Sequence, residues 1–202
     1  MQKIMFNDRY HHTSAVIEER KTRATQIMAG IDFPVNMVMG RVLPDKDGKI
    51  YAVANGENII VKLRYKVGEV VAVAQCYNDV VREFTDLAFV PGSTNKMFVR
   101  ADLMPHQIRI IGIRCERLRD ISDEECIKEG VYAGSQALEY PYYFIDTKQF
   151  LICDYKSPRE AFAALIDKVS GRGTWDRNPW VVVYEFELVK SYEISNYNMQ
   201  TV

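Results

Sequence analysis

Basic side chains at spacings suited to phosphate binding occur in two segments of the sequence. The first segment holds three cations within four positions and the second holds four within eleven: Arg20, Lys21 and Arg23, then Arg109, Arg114, Arg117 and Arg119. Phosphate groups accept charge-assisted hydrogen bonds from guanidinium and ammonium groups, so these residues could form a ligand-binding face. Acidic residues such as Glu116 and Asp120 lie between the arginines of the second segment, which is also the pattern of a solvated strand edge. The sequence leaves both interpretations open.

Aromatic residues crowd residues 131–156, where Tyr140, Tyr142, Tyr143 and Phe144 stand almost side by side. Aromatic rings can stack the bases of single-stranded nucleic acid with little sequence preference. Such clusters more commonly close one end of a barrel or form a contact between two copies of a chain. Base stacking and a homodimer contact are therefore the alternatives for this segment.

Metal and cofactor chemistry find little support in the sequence. Three histidines, His11, His12 and His106, have no Cys or carboxylate partner at metal-ligand spacing, so we predict no metal site. The chain has no Walker loop, no dinucleotide-binding glycine fingerprint and no nucleophile elbow. We therefore predict no cofactor.

Length and composition indicate one globular domain. The chain has 202 residues, of which 48% are hydrophobic and 26% charged, and its net charge is -1. Proteins that coat duplex nucleic acid carry a basic excess, so any nucleic-acid contact here must be local. The scattered cysteines, the polar N-terminus and the lack of an apolar run of about 20 residues predict a cytoplasmic protein without a membrane segment.

The hydrophobic periodicity predicts an α+β fold in which strands outnumber helices. A short helix is expected from residue 12 to 19 with Thr13 or Ser14 as its cap, and capping boxes that begin at Ser122 and Ser157 predict two more helices. The strands are predicted at 37–43, 50–54, 59–65, 70–77, 96–101, 108–118 and 180–188. No βαβ alternation is present, so we expect a mostly antiparallel sheet, closed into a small barrel, with flanking helices.

Four segments of the chain together resemble the ASCH branch of the PUA-like β-barrels. They are residues 15–22 (AVIEERKT), 65–73 (YKVGEVVAV), 113–131 and 175–186 (WDRNPWVVVYEF), and the last is similar to the final strand of prophage-borne members. The match frames a single domain over residues 1–190. An extra hairpin at about 31–64 and the aromatic segment at 131–156 are insertions, and residues 191–202 form a polar tail.

The resemblance implies a PUA-like barrel with a cleft between the first helix and the sheet. It also implies binding of RNA or of modified nucleobases, and one bacterial branch hydrolyses acetylcytidine with a Lys, a Thr and a Glu. Lys21 lies at the position of the motif lysine and Glu129 at that of the third catalytic residue, whereas Ala24 replaces the hydroxyl nucleophile. Thr25, one residue later, or an activated water could replace that hydroxyl.

Two further motif positions also differ, because Glu19 stands in for the motif glycine and Gln26 for the final arginine. We expect a binding module that holds RNA or a modified nucleoside near Lys21 and Glu129. An amidohydrolase acting on acylated pyrimidine nucleosides, and a phage-associated module that docks a protein partner, are the alternatives.

Overall fold

The central element of the protein is a five-stranded sheet. The computed structural model describes residues 1–28, 43–44, 49–54, 57–80, 90–134, 142–147 and 152–189. The strands of this sheet lie in the spatial order β1 (Lys3–Ile4), β6 (Val70–Val73), β7 (Gln107–Arg117), β11 (Trp180–Leu188) and β2 (Arg23–Ile27). β1 and β6 are parallel and the other neighbours are antiparallel. The α+β class and the mostly antiparallel central sheet are therefore confirmed.

Two small antiparallel sheets accompany the central one. They contain β3 (Leu43–Pro44), β4 (Lys49–Ala54) and β5 (Glu57–Lys62), and β8 (Tyr132–Ala133), β9 (Tyr143–Ile145) and β10 (Ile152–Tyr155). The first sheet contains the described part of the predicted hairpin, and residues 31–42 lie outside the described residues. The strands of the second sheet lie within the aromatic segment at 131–156. The rings of Tyr132 and Phe144 stack there at 4.9 Å between centroids. Tyr140 and the tail at 191–202 are also outside the described residues.

Five helices flank the sheets in the described ranges, and two of them are single turns. They are α1 (His12–Ile17), α2 (Tyr77–Val80), α3 (Asp123–Lys128), α4 (Pro158–Ser170) and α5 (Thr174–Arg177). The capping box that begins α3 is confirmed, because the Ser122 hydroxyl accepts from the Glu125 N–H and the Glu125 carboxylate accepts from the Ser122 N–H. None of the helices in these ranges is long and apolar enough to span a membrane.

Strand β11 organises the core because both of its faces are buried. Val182, Tyr184 and Phe186 pack on one face of the sheet with the β7 residues Ile108 and Ile110. Val181 and Val183 pack on the opposite face, where they meet the buried stripe of α4, which consists of Ala161, Phe162, Leu165 and Ile166. Burial on both faces explains the long apolar run of this strand.

The structure differs from the prediction at residues 96–101, where a strand was expected. Two short 3-10 turns, Lys96–Phe98 and Ala101–Leu103, occupy this segment instead. The Asn95 side chain accepts a hydrogen bond from the Met97 N–H at 2.9 Å, and this cap favours the turn over an extended strand. The prediction of a strand from 70 to 77 was too long, because β6 ends at Val73 and Tyr77 begins a helical turn.

The described residues do not show the closed barrel that the sequence predicts. β1 and β2 form the two edges of the central sheet and do not pair with each other there, so closure of the sheet is not observed. The predicted caps of α1 are wrong, since His11, with a φ of 52°, is the N-cap and the Thr13 hydroxyl donates to Asp8 at 2.5 Å.

Helix α1 ends in a Schellman motif with an unusual residue in it. The Glu19 N–H donates to the Val16 carbonyl at 3.0 Å, and the Arg20 N–H donates to the Ala15 carbonyl at 2.8 Å. Glu19 has a φ of 58°, the left-handed conformation that glycine normally supplies at this position. This is the position at which the ASCH-like motif carries glycine.

We predict that Glu19→Gly stabilises the protein. A non-glycine residue in the left-handed region costs about 1–2 kcal/mol, which exceeds the entropic cost of glycine of roughly 0.5–1 kcal/mol. Urea denaturation should therefore give a free energy of unfolding up to about 1 kcal/mol higher than that of the wild type. Glu18→Gly is the control, because Glu18 has an ordinary φ of -84° and should lose stability. Equal losses in both variants would contradict this account of the turn.

Candidate functional site

The carboxylate of Glu129, directly after α3, collects hydrogen bonds from three side chains. The Lys21 ammonium donates to Oε2 at 2.8 Å and to the main-chain carbonyl of Glu129 at 2.5 Å. The Arg23 guanidinium donates to Oε1 at 3.3 Å, and the Thr25 hydroxyl also donates to Oε1. We call these four residues the Glu129 cluster. Lys21 and Glu129, which the resemblance assigns to one motif, are therefore in direct contact.

Local structure explains why these side chains converge. Side chains two residues apart on a strand point to the same face, so Arg23 and Thr25 on β2 both face the end of α3. The Schellman turn leads directly into Lys21, whose N–H donates to the Ala15 carbonyl at 2.9 Å. The Thr22 N–H donates to the Lys128 carbonyl at 3.1 Å and joins this segment to the last residue of α3.

The Glu129 cluster is buried, so the stability of the protein depends on the pairing of its charges. The exposed fractions of Lys21, Arg23 and Glu129 are 3%, 1% and 4%. Leaving one member of a buried ion pair without its partner costs about 3–5 kcal/mol, whereas a surface pair contributes about 1 kcal/mol or less. Burial lowers the pKa of Lys21 from its ordinary value of 10.5, and the Glu129 carboxylate opposes this shift.

Arg23 connects the cluster to further carboxylates near the surface. Its Nη2 contacts Glu116, and its Nη1 lies 2.6 Å from Glu125 Oε1, an ion pair without the alignment of a hydrogen bond. Arg114 pairs with the same two glutamates and with Glu185. The positive charge of both arginines is therefore balanced by neighbouring carboxylates.

A cavity of about 270 Å³ opens beside the cluster. Lys21, Thr25 and Glu129 supply a polar part of its wall, and Ala24 lies next to them in the lining. The rest of the cavity wall is formed by Phe162, Leu165 and Ile166 of α4, by Tyr184 of β11 and by Phe6, which follows β1. The cavity therefore combines an apolar wall with a few convergent polar groups, the usual composition of a small-molecule site.

His12 contributes a neutral imidazole to the wall of this cavity. Burial, together with repulsion from Lys21 and Lys96, lowers the pKa of His12 from 6.5 to about 2. Its ring makes no hydrogen bond to another residue within the described ranges. A neutral imidazole has one N–H donor and one nitrogen acceptor, with which it can bind a ligand in the cavity.

Arg20 and Arg109 are also paired with carboxylates, whereas Arg117 and Arg119 lie over the rings of Trp180 and Trp175. Arg20 lies 2.6 Å from Glu18 and over the ring of Tyr132, and Arg109 lies 3.1 Å from Glu187. Any phosphate that bound the cations paired in this way would have to compete with their carboxylates. The role of Arg20, Lys21, Arg23, Arg109 and Arg114 in ligand binding stays a prediction.

Sequence reasoning missed two lining residues, His12 and Arg64. His12 was considered only as a metal ligand, and no group of three or more His, Cys, Asp or Glu in the described ranges is arranged to hold a metal ion. Arg64 lies at the end of an apolar strand and alternates with Lys62 and Lys66, a local basic pattern that could have indicated it. Comparisons with known protein families, with curated proteins and with solved structures find no match for this chain.

The buried neutral His12 predicts a specific dependence of stability on pH. The unfolded chain binds a proton on this histidine below pH 6.5 and the folded chain does not, so stability decreases as the pH falls below 6.5. This group should contribute a slope of about 1.4 kcal/mol per pH unit, which His12→Asn removes. Urea denaturation between neutral pH and pH 4.5 measures the two slopes, and His11→Asn is the control that keeps the wild-type slope. Equal slopes in wild type and His12→Asn would contradict the assignment.

Proposed function

We propose that the protein is a PUA-like module that binds one nucleoside-sized unit in the cavity beside the Glu129 cluster. The unit is either a modified nucleoside or one residue of an RNA strand. The observation that carries this proposal is the cavity itself, of which the paired Lys21 and Glu129 form part of the wall. Its volume of about 270 Å³ lies just below the roughly 300–1,000 Å³ of drug-sized pockets, so it suits one nucleoside and not a longer segment.

The composition of the cavity wall supports a ligand with a flat ring and a polar edge. Phe162, Leu165 and Ile166 of α4 offer apolar contact to the faces of a ring. His12 offers a donor and an acceptor to polar groups at its edge. Nucleobases combine these two properties, and proteins that bind unpaired bases use stacking together with hydrogen bonds to the base edge.

Two features support the ASCH-like interpretation. Lys21 and Glu129, which the motif pairs, are 108 positions apart in sequence and in direct contact. Glu19 adopts the left-handed conformation at the motif glycine, which gives a physical reason for glycine at that position. We propose that the open sheet of the described residues is the larger part of a PUA-like barrel.

Binding is favoured over catalysis because the groups of the cluster are already engaged. Ala24 has no hydroxyl, and the Thr25 hydroxyl donates its proton to Glu129. Glu129 also accepts from Lys21 and Arg23, so three of the roughly four acceptor positions of its carboxylate are already engaged. The hydroxyl, carboxylate and amine of Thr25, Glu129 and Lys21 do lie together, and this favours an amidohydrolase as the second candidate function.

The first test of the proposal is nucleoside binding. Isothermal titration with cytidine, with acetylcytidine and with a short single-stranded RNA should detect binding by the wild type. Ala24→Leu places a larger side chain in the cavity without changing any charge, and we expect it to weaken binding at least about tenfold, equivalent to about 1.4 kcal/mol.

Ala133→Leu is the control for that experiment, because Ala133 is exposed on β8 and does not line the cavity. It should bind as the wild type does. Lack of binding of all three probes to the wild type would end the proposal, and equal binding by Ala24→Leu would move the binding site away from this cavity.

The second test separates binding from hydrolysis. Incubation of the wild type with acetylcytidine should release little or no cytidine, because the nucleophile position is Ala24. Ala24→Thr should gain activity only if Lys21 and Glu129 already have the required geometry. Chromatographic measurement of cytidine checks both expectations. Rapid release by the wild type that Lys21→Ala abolishes would favour the amidohydrolase and assign the attack to Thr25 or to a water molecule.

A further inference from the structure

Arg64 differs from the cations of the Glu129 cluster. Lys21 and Arg23 are buried and paired with carboxylates, whereas Arg64 is exposed at the lining of the cavity. Its guanidinium forms no ion pair with a carboxylate of the described ranges. Its side chain interacts with the Tyr65 hydroxyl, which leaves other N–H donors of this five-donor group for an anion.

The local structure holds Arg64 in place. Its N–H donates to the Tyr184 hydroxyl at 3.1 Å, and its carbonyl accepts from the Gln2 side chain at 3.4 Å. The guanidinium lies over the Tyr65 ring at 5.4 Å from the centroid, and this ring is itself buried against Tyr184 at 5.3 Å. A guanidinium that rests on a fixed aromatic ring loses less side-chain entropy when it binds an anion.

The charges that line the cavity do not cancel. Lys21 and Arg64 are cations, Glu129 is an anion and His12 is neutral, so the lining residues have a net charge of +1. Lys21 and Glu129 neutralise each other in the interior at 2.8 Å. The remaining positive charge therefore belongs to Arg64, at the solvent-exposed side of the cavity.

We propose that the ligand of this cavity carries a phosphate group, which Arg64 binds at the cavity mouth. The protein then prefers a nucleotide to the corresponding nucleoside, and the phosphate belongs either to a free nucleotide or to an RNA strand. Arginine suits this role because its planar group donates two parallel hydrogen bonds to phosphate oxygens. This inference rests on the proposed function, because it assumes that the cavity is the ligand site.

The experiment compares matched ligands with and without the phosphate. Isothermal titration measures the dissociation constants of cytidine and of cytidine 5′-monophosphate at low and at high salt. The wild type should bind the monophosphate roughly ten times more tightly, as expected for one charge-assisted hydrogen-bonding contact, and salt should reduce this preference. A cytidine trinucleotide with and without a 5′-phosphate distinguishes a free nucleotide from an RNA end.

Three variants assign the preference to Arg64. Arg64→Gln should abolish most of it, and Arg64→Lys should retain part of it, because lysine keeps the charge and loses the two-pronged geometry. Arg100→Gln is the control, since Arg100 is exposed, pairs with Asp102 and does not line the cavity. It should keep the wild-type preference.

The outcomes separate this inference from the proposed function. Binding of cytidine and its monophosphate with equal affinity would overturn the role of Arg64 and leave nucleoside binding intact. An unchanged preference in Arg64→Gln would also overturn it, because another cation would then bind the phosphate. Absence of binding by either ligand would end both proposals.

Discussion

The site depends on one buried carboxylate, which accepts hydrogen bonds from three side chains. Glu129 joins the end of α3 to the segment that leads into β2, through Lys21, Arg23 and Thr25. A buried charge without a partner is far more costly than an exposed one, so these side chains have little freedom to adopt other positions. The geometry of the cavity wall follows from this constraint, because Lys21, Thr25 and Glu129 belong both to the cluster and to the lining.

The same constraint determines which groups are free to meet a ligand. The positive charges of Lys21 and Arg23 are balanced inside the protein, and burial, together with repulsion from Lys21 and Lys96, keeps His12 neutral. Two lining residues without an ion pair among the described residues are His12 in the interior and Arg64 at the surface. A cavity with a neutral hydrogen-bonding group inside and a cation at its mouth is suited to a ligand with a polar ring and an anionic end.

Elements with strong local signals could be predicted from the sequence. The capping box at Ser122 marks the start of α3, and the apolar run at 180–188 marks β11. Both elements are present where expected. Residues 96–101 were predicted wrongly because the Asn95 cap and the contacts of Lys96 with Phe6 and Asp8 override their strand-like composition. Such contacts join distant parts of the chain, and a local pattern does not contain them.

The candidate site was predictable only in part. Lys21 and Glu129 could be paired because their segments resemble one motif, and no spacing rule connects residues 108 positions apart. The resemblance gave no indication of His12 or Arg64, whose importance arises from burial and from the lack of an ion pair. Arg109 and Arg114 looked like a binding face in the sequence, yet several of their carboxylate partners come from β11 and α3, namely Glu185, Glu187 and Glu125.

The central claim is that Lys21 and Glu129 act as one buried unit, and a double-mutant cycle of stability tests it most directly. Urea denaturation of Lys21→Met, Glu129→Gln and the double variant gives the coupling free energy of the pair. We predict that each single variant loses about 3–5 kcal/mol and that the double variant loses less than their sum by about 2 kcal/mol or more. Losses that add to within about 0.5 kcal/mol would mean that the two residues are stabilised independently, and would contradict the account.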